Sequence, residues 1–174
     1  MEKKYIITGA PGTGKTSVIN ELRIRGYECS EEISRNIILE QLKKKEKALP
    51  WEDLTSFSLI IFNKRLSQFK KANKNKIHFF DRSIIDVIAY LRVKKLNTSS
   101  FIDKIKNIKY NKTVFYTPIW KDIYINDNER KEDIKTAIKI EQKIIKTYQE
   151  LNYKMISIPK LSVKERTDFI LSEI

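Results

Sequence analysis

Cysteine and long apolar runs are both scarce in this sequence, and each scarcity narrows where the protein can work. Cys29 is the only cysteine, so no internal disulfide can form and a reducing compartment is favoured. No apolar run approaches the ~18 residues of a membrane span. The first four residues lead directly into an apolar segment and leave no room for a signal peptide. We therefore expect a cytoplasmic protein that does not span a membrane.

Glycine is also scarce, with 4 residues in 174, yet three of them lie at Gly9, Gly12 and Gly14. Residues 9–16, GAPGTGKT, match the phosphate-binding pattern G-x-x-x-x-G-K-[ST] between a β-like run and a helix-like run. Glycines let backbone N–H groups turn inward around an anion, and the following helix adds the positive end of its dipole. The alternative is a glycine turn before an amphipathic helix, with Lys15 merely solvated, but chance rarely produces this pattern.

The pattern predicts a phosphate-binding loop for a nucleoside triphosphate. Lys15 would reach the β- and γ-phosphates, and Thr16 would offer its hydroxyl to Mg²⁺. The residues expected to line this cofactor site are Gly9, Ala10, Pro11, Gly12, Thr13, Gly14, Lys15, Thr16 and Ser17.

Arginine is in short supply relative to lysine, and this bears on the net charge of +13. Clustered cations release counterions from a nucleic-acid backbone, so the charge raises the question of a nucleic-acid partner. Of the 35 basic residues, however, 27 are lysine and 8 are arginine, whereas groove and phosphate recognition favours arginine. A solvated basic surface is favoured over a nucleic-acid partner, which stays open.

Apolar segments of strand and helix type alternate along the chain. Residues 4–8, KYIIT, form a continuous rather than an alternating strand-like run, as a central parallel strand buried on both faces should. Pro50 is expected to open a helix over 51–72. A helix over 134–151 is expected to bury Ile134, Ile138, Ile145 and Tyr148. Because no linker or repeat interrupts the chain, we predict a single α/β domain over 1–174, a doubly wound parallel sheet with helices on both faces.

A second candidate site lies where a predicted strand over 77–81 ends in Asp81. An apolar strand ending in aspartate is the arrangement that holds Mg²⁺ opposite a phosphate loop, so Asp81 is predicted as a metal ligand. Arg82, Asp86 and Tyr90 recur every four residues, which indicates either a structural ion pair or a substrate-facing set. The lone histidine, His78, is expected to be structural.

Two charged residues follow a short strand predicted over 27–30, the second strand along the chain. Because ligands bind beyond the carboxyl ends of parallel strands, Glu32 and Arg35 are candidate substrate-binding residues. The alternative is electrostatic, since acidic residues also stabilise the N-terminus of a helix. Farther along, residues 119–133 mix aromatic and charged side chains as a lid over a charged ligand would, and Arg130 could enter the site when it closes. Equally, Arg130 could be a surface residue beside Glu129.

The order of these features resembles a known family. Small bacterial AAA-domain ATP-binding proteins show a similar order of motifs. The motifs in this sequence are Gly9-to-Thr16, Asp81-Arg82-Ser83, Pro118-Ile119-Trp120 leading to Arg130, and Ile158-Pro159 before Ser162. The AAA-domain proteins in turn are similar to the ribosylnicotinamide kinase domain and to nucleoside and nucleotide kinases. The resemblance implies a three-layer P-loop NTPase fold with a five-stranded parallel sheet, ATP·Mg²⁺ and a lid over about 119–133. It also implies that Glu32 is the base for an accepting hydroxyl, with Arg35 near it.

Arg82 stands where hydrolysing AAA machines have a glutamate, which favours phosphoryl transfer over a ring motor. The sequence therefore predicts a kinase for a small nucleoside- or nucleotide-like acceptor, in which Lys15, Asp81, Arg82, Glu32 and Arg130 are catalytic. The acceptor would lie against Glu32, Arg35 and Arg82. The alternatives are a regulatory NTPase switch and a polynucleotide 5′-hydroxyl kinase. ATP against GTP, the acceptor and the oligomeric state stay open.

Overall fold

Five parallel strands form one sheet in the computed structural model, which describes residues 2–120 and 134–174. The strand order is β2-β3-β1-β4-β5, so the central β1 pairs with β3 on one side and β4 on the other. This is the predicted P-loop fold. The strands are β1 Lys4–Thr8, β2 Glu28–Ser30, β3 His78–Asp81, β4 Thr113–Tyr116 and β5 Lys154–Ser157. The helices are α1 Lys15–Ile24, α2 Ser34–Lys44, α3 Leu54–Lys71, α4 Ile84–Val93, α5 Ser99–Ile105, α6 Ile134–Glu150 and α7 Val163–Ser172.

The alternation of side chains along β1 divides the core into two layers. Tyr5 and Ile7 face the side covered by α1 and α7, where they pack in one cluster with Leu22. Ile6 faces the other side and packs with residues of α3, α4 and α6, including Ile88. Burying such aliphatic side chains contributes about 1.5–3 kcal/mol each. Every residue of β1 is buried, as the sequence predicted for a central parallel strand.

The start of α3 differs from the prediction. The helix begins at Leu54, and Pro50 lies in the turn that precedes it. Asp53 is the N-cap residue, because its side chain accepts a hydrogen bond from the Ser56 backbone N–H at 3.0 Å. The expectation that Pro50 opens the helix was wrong because Asp53, three residues later, satisfies the first helical N–H groups.

The buried face of α6 also differs from the prediction. Tyr148 is buried as predicted, but Ile138 is 39% exposed, and the other buried residues are Ala137, Ile140, Ile144 and Thr147. Because α6 is rich in isoleucine, two different apolar stripes along it could form the buried face. The stripe that faces α4 is the one carrying hydrogen-bonding groups, Thr147 and Tyr148, which bond to Arg92 and Asp86 on α4. None of the helices in the described ranges is long and apolar enough for a membrane span.

Candidate active site

The phosphate loop lies between β1 and α1, at the central strand of the sheet. The strand order reverses at β1, and such a switch point is where ligands bind in open α/β sheets. Helix α1 begins at Lys15, and Gly14 is its N-cap with φ of 79°. The loop therefore presents the N-terminus of a helix beside the carboxyl ends of β3 and β4.

Gly9 lies so close to the end of β4 that no side chain fits. A Cβ atom at this position would be 2.5 Å from both the carbonyl oxygen and the Oγ1 of Thr117, and φ is +141°. The Thr117 hydroxyl lies 2.6 Å from Thr13 Oγ1, and Thr13 Oγ1 donates to the Ala10 carbonyl at 2.9 Å. Thr117 thus braces the phosphate loop from the neighbouring strand.

This close approach predicts a large cost for Gly9→Ala. The new methyl group would meet backbone as well as side-chain atoms, in a conformation that alanine rarely adopts, so we expect unfolding to be easier by about 3 kcal/mol. The matched control is Gly26→Ala, because Gly26 also has positive φ, +88°, but no described atom lies within 4 Å of its added Cβ. Its expected cost is about 1 kcal/mol. Urea unfolding of both variants measures the difference, and equal losses would contradict the proposed contact.

Lys15 is buried against the loop that it follows. Its Nζ donates to the carbonyl oxygens of Gly9 at 3.1 Å and Ala10 at 2.6 Å, and lies 3.4 Å from Thr13 Oγ1. Burial lowers the pKa of this ammonium to about 7, with Arg82 acting in the same direction. Because the described partners of Nζ are neutral oxygens, an anion brought to the loop would relieve an unfavourable buried charge.

Four charged side chains meet beside the loop, at the ends of β2 and β3. The Glu32 carboxylate lies 3.3 Å from Arg65 NH2 through one oxygen and 3.3 Å from Arg82 Nε through the other. Arg82 NH1 lies 3.7 Å from Asp86. Arg82 has a positive φ of 66° and precedes Ser83, the N-cap residue of α4, and its guanidinium lies 5.3 Å from the Tyr90 ring. Arg82, Asp86 and Tyr90 are therefore neighbours, as their spacing predicted, although Arg82 itself is outside the helix.

The ionisation of Glu32 is set by two opposing effects. Burial alone would raise the pKa of the Glu32 carboxyl, but the positive charges of Arg65 and Arg82 outweigh it and lower the pKa to about 2. The Ser34 backbone N–H adds a hydrogen bond at 2.7 Å. Glu32 is therefore ionised at neutral pH, which makes it a good hydrogen-bond acceptor for a hydroxyl but a weak base.

Asp86 anchors this cluster to the core. Its carboxylate accepts hydrogen bonds from the Ser83 backbone N–H at 2.7 Å, the Tyr148 hydroxyl at 2.6 Å and the Thr8 hydroxyl. Ser83 and Asp86 together form a capping box at the start of α4. Asp86 thus links β1, α4 and α6 at the carboxyl ends of the strands, beside Arg82.

Asp81 and Thr16 fit the predicted magnesium site in their chemistry. Asp81 is buried at the end of β3, and its Oδ1 has no hydrogen-bond partner among the described residues. Burial raises the pKa of this carboxyl, as does nearby Glu32. No cluster of three or more His, Cys, Asp or Glu ligands occurs in the ranges that the structure describes. A site with few protein ligands suits Mg²⁺, which keeps several waters and shares the phosphate oxygens of its nucleotide.

Comparison with known proteins assigns the chain to a family. The family described as "AAA domain" matches residues 4–166. The chain belongs to that AAA domain family. No curated protein is similar enough to the sequence to count as a match.

Several solved structures share the fold of this AAA domain. One is deoxyadenosine kinase from M. mycoides with dCMP and dCDP bound, which has a TM-score of 0.70 and 20% sequence identity. The match covers 98% of this chain and 97% of the kinase chain. Thymidylate kinase from Ehrlichia chaffeensis has a TM-score of 0.64 at 17% identity, with 98% and 97% covered. NadR protein in complex with NR has a TM-score of 0.67 at 13% identity, where 98% of this chain matches 49% of NadR.

The other predicted site residues of this AAA domain are placed as follows. Ser17 and Thr16 are exposed on the first turn of α1, and Arg35 is exposed on the first turn of α2. Arg130, with most of the predicted lid, lies outside the described residues. The start of that segment is held by Glu141, whose carboxylate accepts a hydrogen bond from the Ile119 backbone N–H at 2.7 Å.

Two residues of the site, Arg65 and Thr117, were not predicted from the sequence. Arg65 donates to the Asp81 carbonyl at 2.7 Å as well as contacting Glu32. Its signal in the sequence was an arginine at helical spacing from Phe57 and Ile61, on the buried stripe of α3. The signal for Thr117 was weaker, a single hydroxyl residue directly after a predicted strand.

Proposed function

We propose that this protein is an ATP-dependent kinase that transfers the γ-phosphoryl group of ATP to a hydroxyl group of a small, nucleoside-like acceptor. The observation that carries the proposal is the pairing of Glu32, which follows β2, with Arg82, which follows Asp81 at the end of β3, beside the phosphate loop. The related structures support it, because they are named as deoxyadenosine kinase, thymidylate kinase and a protein bound to NR.

On the donor side, the backbone of the loop and Lys15 would bind the triphosphate. Thr16 and Asp81 would hold Mg²⁺, which neutralises charge on the phosphate oxygens when bound. Arg82 would stabilise the transferring phosphoryl group, because its NH1 has no hydrogen-bond partner among the described residues. Phosphoryl transfer requires little from a protein beyond such alignment and charge compensation.

On the acceptor side, the charges favour a hydroxyl over a monophosphate. Glu32 already engages both Arg65 and Arg82, so the nearest guanidinium groups are occupied by a protein carboxylate. A phosphate group would meet the negative charge of Glu32, whereas a hydroxyl could donate a hydrogen bond to it. We therefore propose a nucleoside rather than a nucleotide as the acceptor, with Glu32 orienting the hydroxyl more than deprotonating it.

The remaining parts of the proposal concern the whole chain. Residues 1–174 would form one cytoplasmic kinase domain in which 119–133 acts as a lid, and Arg130 would reach the phosphates on closure. Arg35 would contact the acceptor from α2, beyond Glu32. ATP would be the donor, although GTP would fit the same loop.

A ternary-complex measurement tests this proposal against a regulatory switch. With a non-hydrolysable ATP analogue and Mg²⁺ present, we expect at least one nucleoside to raise the melting temperature further, while its 5′-monophosphate raises it less. Protection by the analogue with no additional effect of any acceptor would favour the switch. Binding of 5′-hydroxyl oligonucleotides that weakens steeply with salt would instead favour a polynucleotide kinase.

A further inference from the structure

Arg65 is a charged residue in an apolar place. It lies on the buried face of α3 beside Ile61 and Phe62, and only 2% of it is exposed. A guanidinium buried this deeply destabilises the fold unless its charge and donors are matched. Its Nε has no hydrogen-bond partner among the described residues, so the contacts of NH1 and NH2 are the ones that are informative about its role.

Those contacts join the two halves of the proposed site. NH1 donates to the backbone carbonyl of Asp81 at 2.7 Å, at the end of β3. NH2 lies 3.3 Å from Glu32 Oε1, after β2. The planar fork of arginine can hold two groups in fixed relation, which a lysine cannot do. The Arg65 side chain thus fixes the end of β3, which carries the proposed metal ligand Asp81, relative to Glu32, the proposed contact of the acceptor hydroxyl.

Arg82 shares Glu32 with Arg65 but has a different task to perform. Its Nε lies 3.3 Å from the other Glu32 oxygen, and its NH1 has no hydrogen-bond partner in the described part of the chain. If Arg82 offers this NH1 to a phosphoryl group, its positive charge is shared between that group and Glu32. Without a second cation, the buried Glu32 carboxylate would then be poorly compensated.

We propose that Arg65 is a positioning residue, which holds and neutralises Glu32 so that Arg82 can share its charge with the transferring phosphoryl group. The inference rests on the proposed phosphoryl transfer. It assigns Arg65 no contact with either substrate. Its effect would be exerted through Glu32 and Arg82.

Kinetics of Arg65→Met and Arg65→Lys test this role. Arg65→Met keeps the aliphatic volume but removes both contacts, so we expect kcat to fall about 100-fold while KM for ATP changes little, since misplacement of about 1 Å has effects of this size. Arg65→Lys keeps the charge but not the fork, and an intermediate loss of about ten-fold is expected. Arg92→Met is the control, because Arg92 pairs with Glu150 at 2.6 Å near the far end of α4. Its kcat should match that of the wild type.

The pKa of Glu32 gives a readout that a merely structural role would not move. Facing Glu32 are Arg65 from α3, Arg82 and Asp81 from the end of β3, and Lys15 from α1. In Arg65→Met the effect of burial is no longer outweighed, so the pKa should rise from about 2, and activity should fall as the pH drops through the raised value. The wild type should show no acid limb from Glu32, and a limb from Asp81, whose pKa is also raised by burial, would appear in both proteins. Carbon-13 NMR of the Glu32 carboxyl measures the pKa without any turnover.

The outcomes separate this inference from the proposed function. If the wild type transfers phosphate to no acceptor, the proposed function fails, whatever the pKa of Glu32. If the wild type is active, an unchanged kcat in Arg65→Met, or an unchanged Glu32 pKa, overturns the role of Arg65. If Arg65→Met does not fold, Arg65→Lys decides, and wild-type kcat in that variant would overturn the role.

Discussion

Replacing Lys15 with Met should reduce phosphoryl transfer by roughly 10³-fold or more, the scale on which a fixed cation at the transferring group acts. The folded structure should survive, because the ammonium is buried among neutral oxygens and its pKa is already lowered to about 7. Methionine is apolar and of similar length, so the substitution removes the unfavourable desolvation of a buried charge and should cost little stability. Turnover of ATP with the best acceptor, together with a urea denaturation curve, measures both expectations.

The control for Lys15→Met is Lys4→Met, a second buried lysine at the other end of the sheet. Lys4 Nζ donates to the Phe69 carbonyl at 2.8 Å and lies 3.8 Å from the Phe69 ring. This variant should lose some stability but keep its turnover. If Lys15→Met retained wild-type turnover, the phosphate loop would not be the donor site.

Asp86→Ala should produce the largest loss of stability at the site, about 3–5 kcal/mol. The change leaves the Ser83 N–H and the hydroxyls of Thr8 and Tyr148 without their shared acceptor. It also removes the nearest carboxylate from Arg82 NH1, 3.7 Å away. Urea unfolding at neutral pH measures the loss.

Tyr148→Phe is the matched comparison for Asp86→Ala. It removes one donor from the same carboxylate and leaves the other two in place, so the expected loss is about 1.5–3 kcal/mol. A loss in Asp86→Ala no larger than that in Tyr148→Phe would show that Asp86 does not join β1, α4 and α6 in the way described.

The central parts of the fold were predictable because they depend on local pattern. The continuous burial of β1 and the glycine spacing of the loop are both short-range features, and they predicted a central strand followed by a phosphate loop. Asp81 was predicted in the same way, as the last residue of an apolar strand, and the pairing of β3 with β1 brings it beside the loop. The family match over residues 4–166 and the shared fold of the solved structures agree with these elements.

The parts that sequence could not predict depend on contacts between distant segments. Arg65 meets Glu32 across 33 positions, and Thr13 meets Thr117 across 104. The buried face of α6 was predicted only in part for a similar reason. Burial of Tyr148 was predicted, but burial of Thr147, which accepts a hydrogen bond from Arg92 on α4, 55 positions earlier, was not. Such pairs are decided by packing, and the residue types alone permit several arrangements.

The most direct test of the central claim is a phosphate-transfer assay with ATP labelled in the γ-phosphate, Mg²⁺ and a panel of nucleosides, 5′-monophosphates and 5′-hydroxyl oligonucleotides. We expect the label to appear on a nucleoside in a one-to-one ratio with the ADP formed, and this product to be lost in Lys15→Met. Release of the label only as inorganic phosphate, at a rate that no acceptor changes, would contradict the assignment of this protein as a kinase.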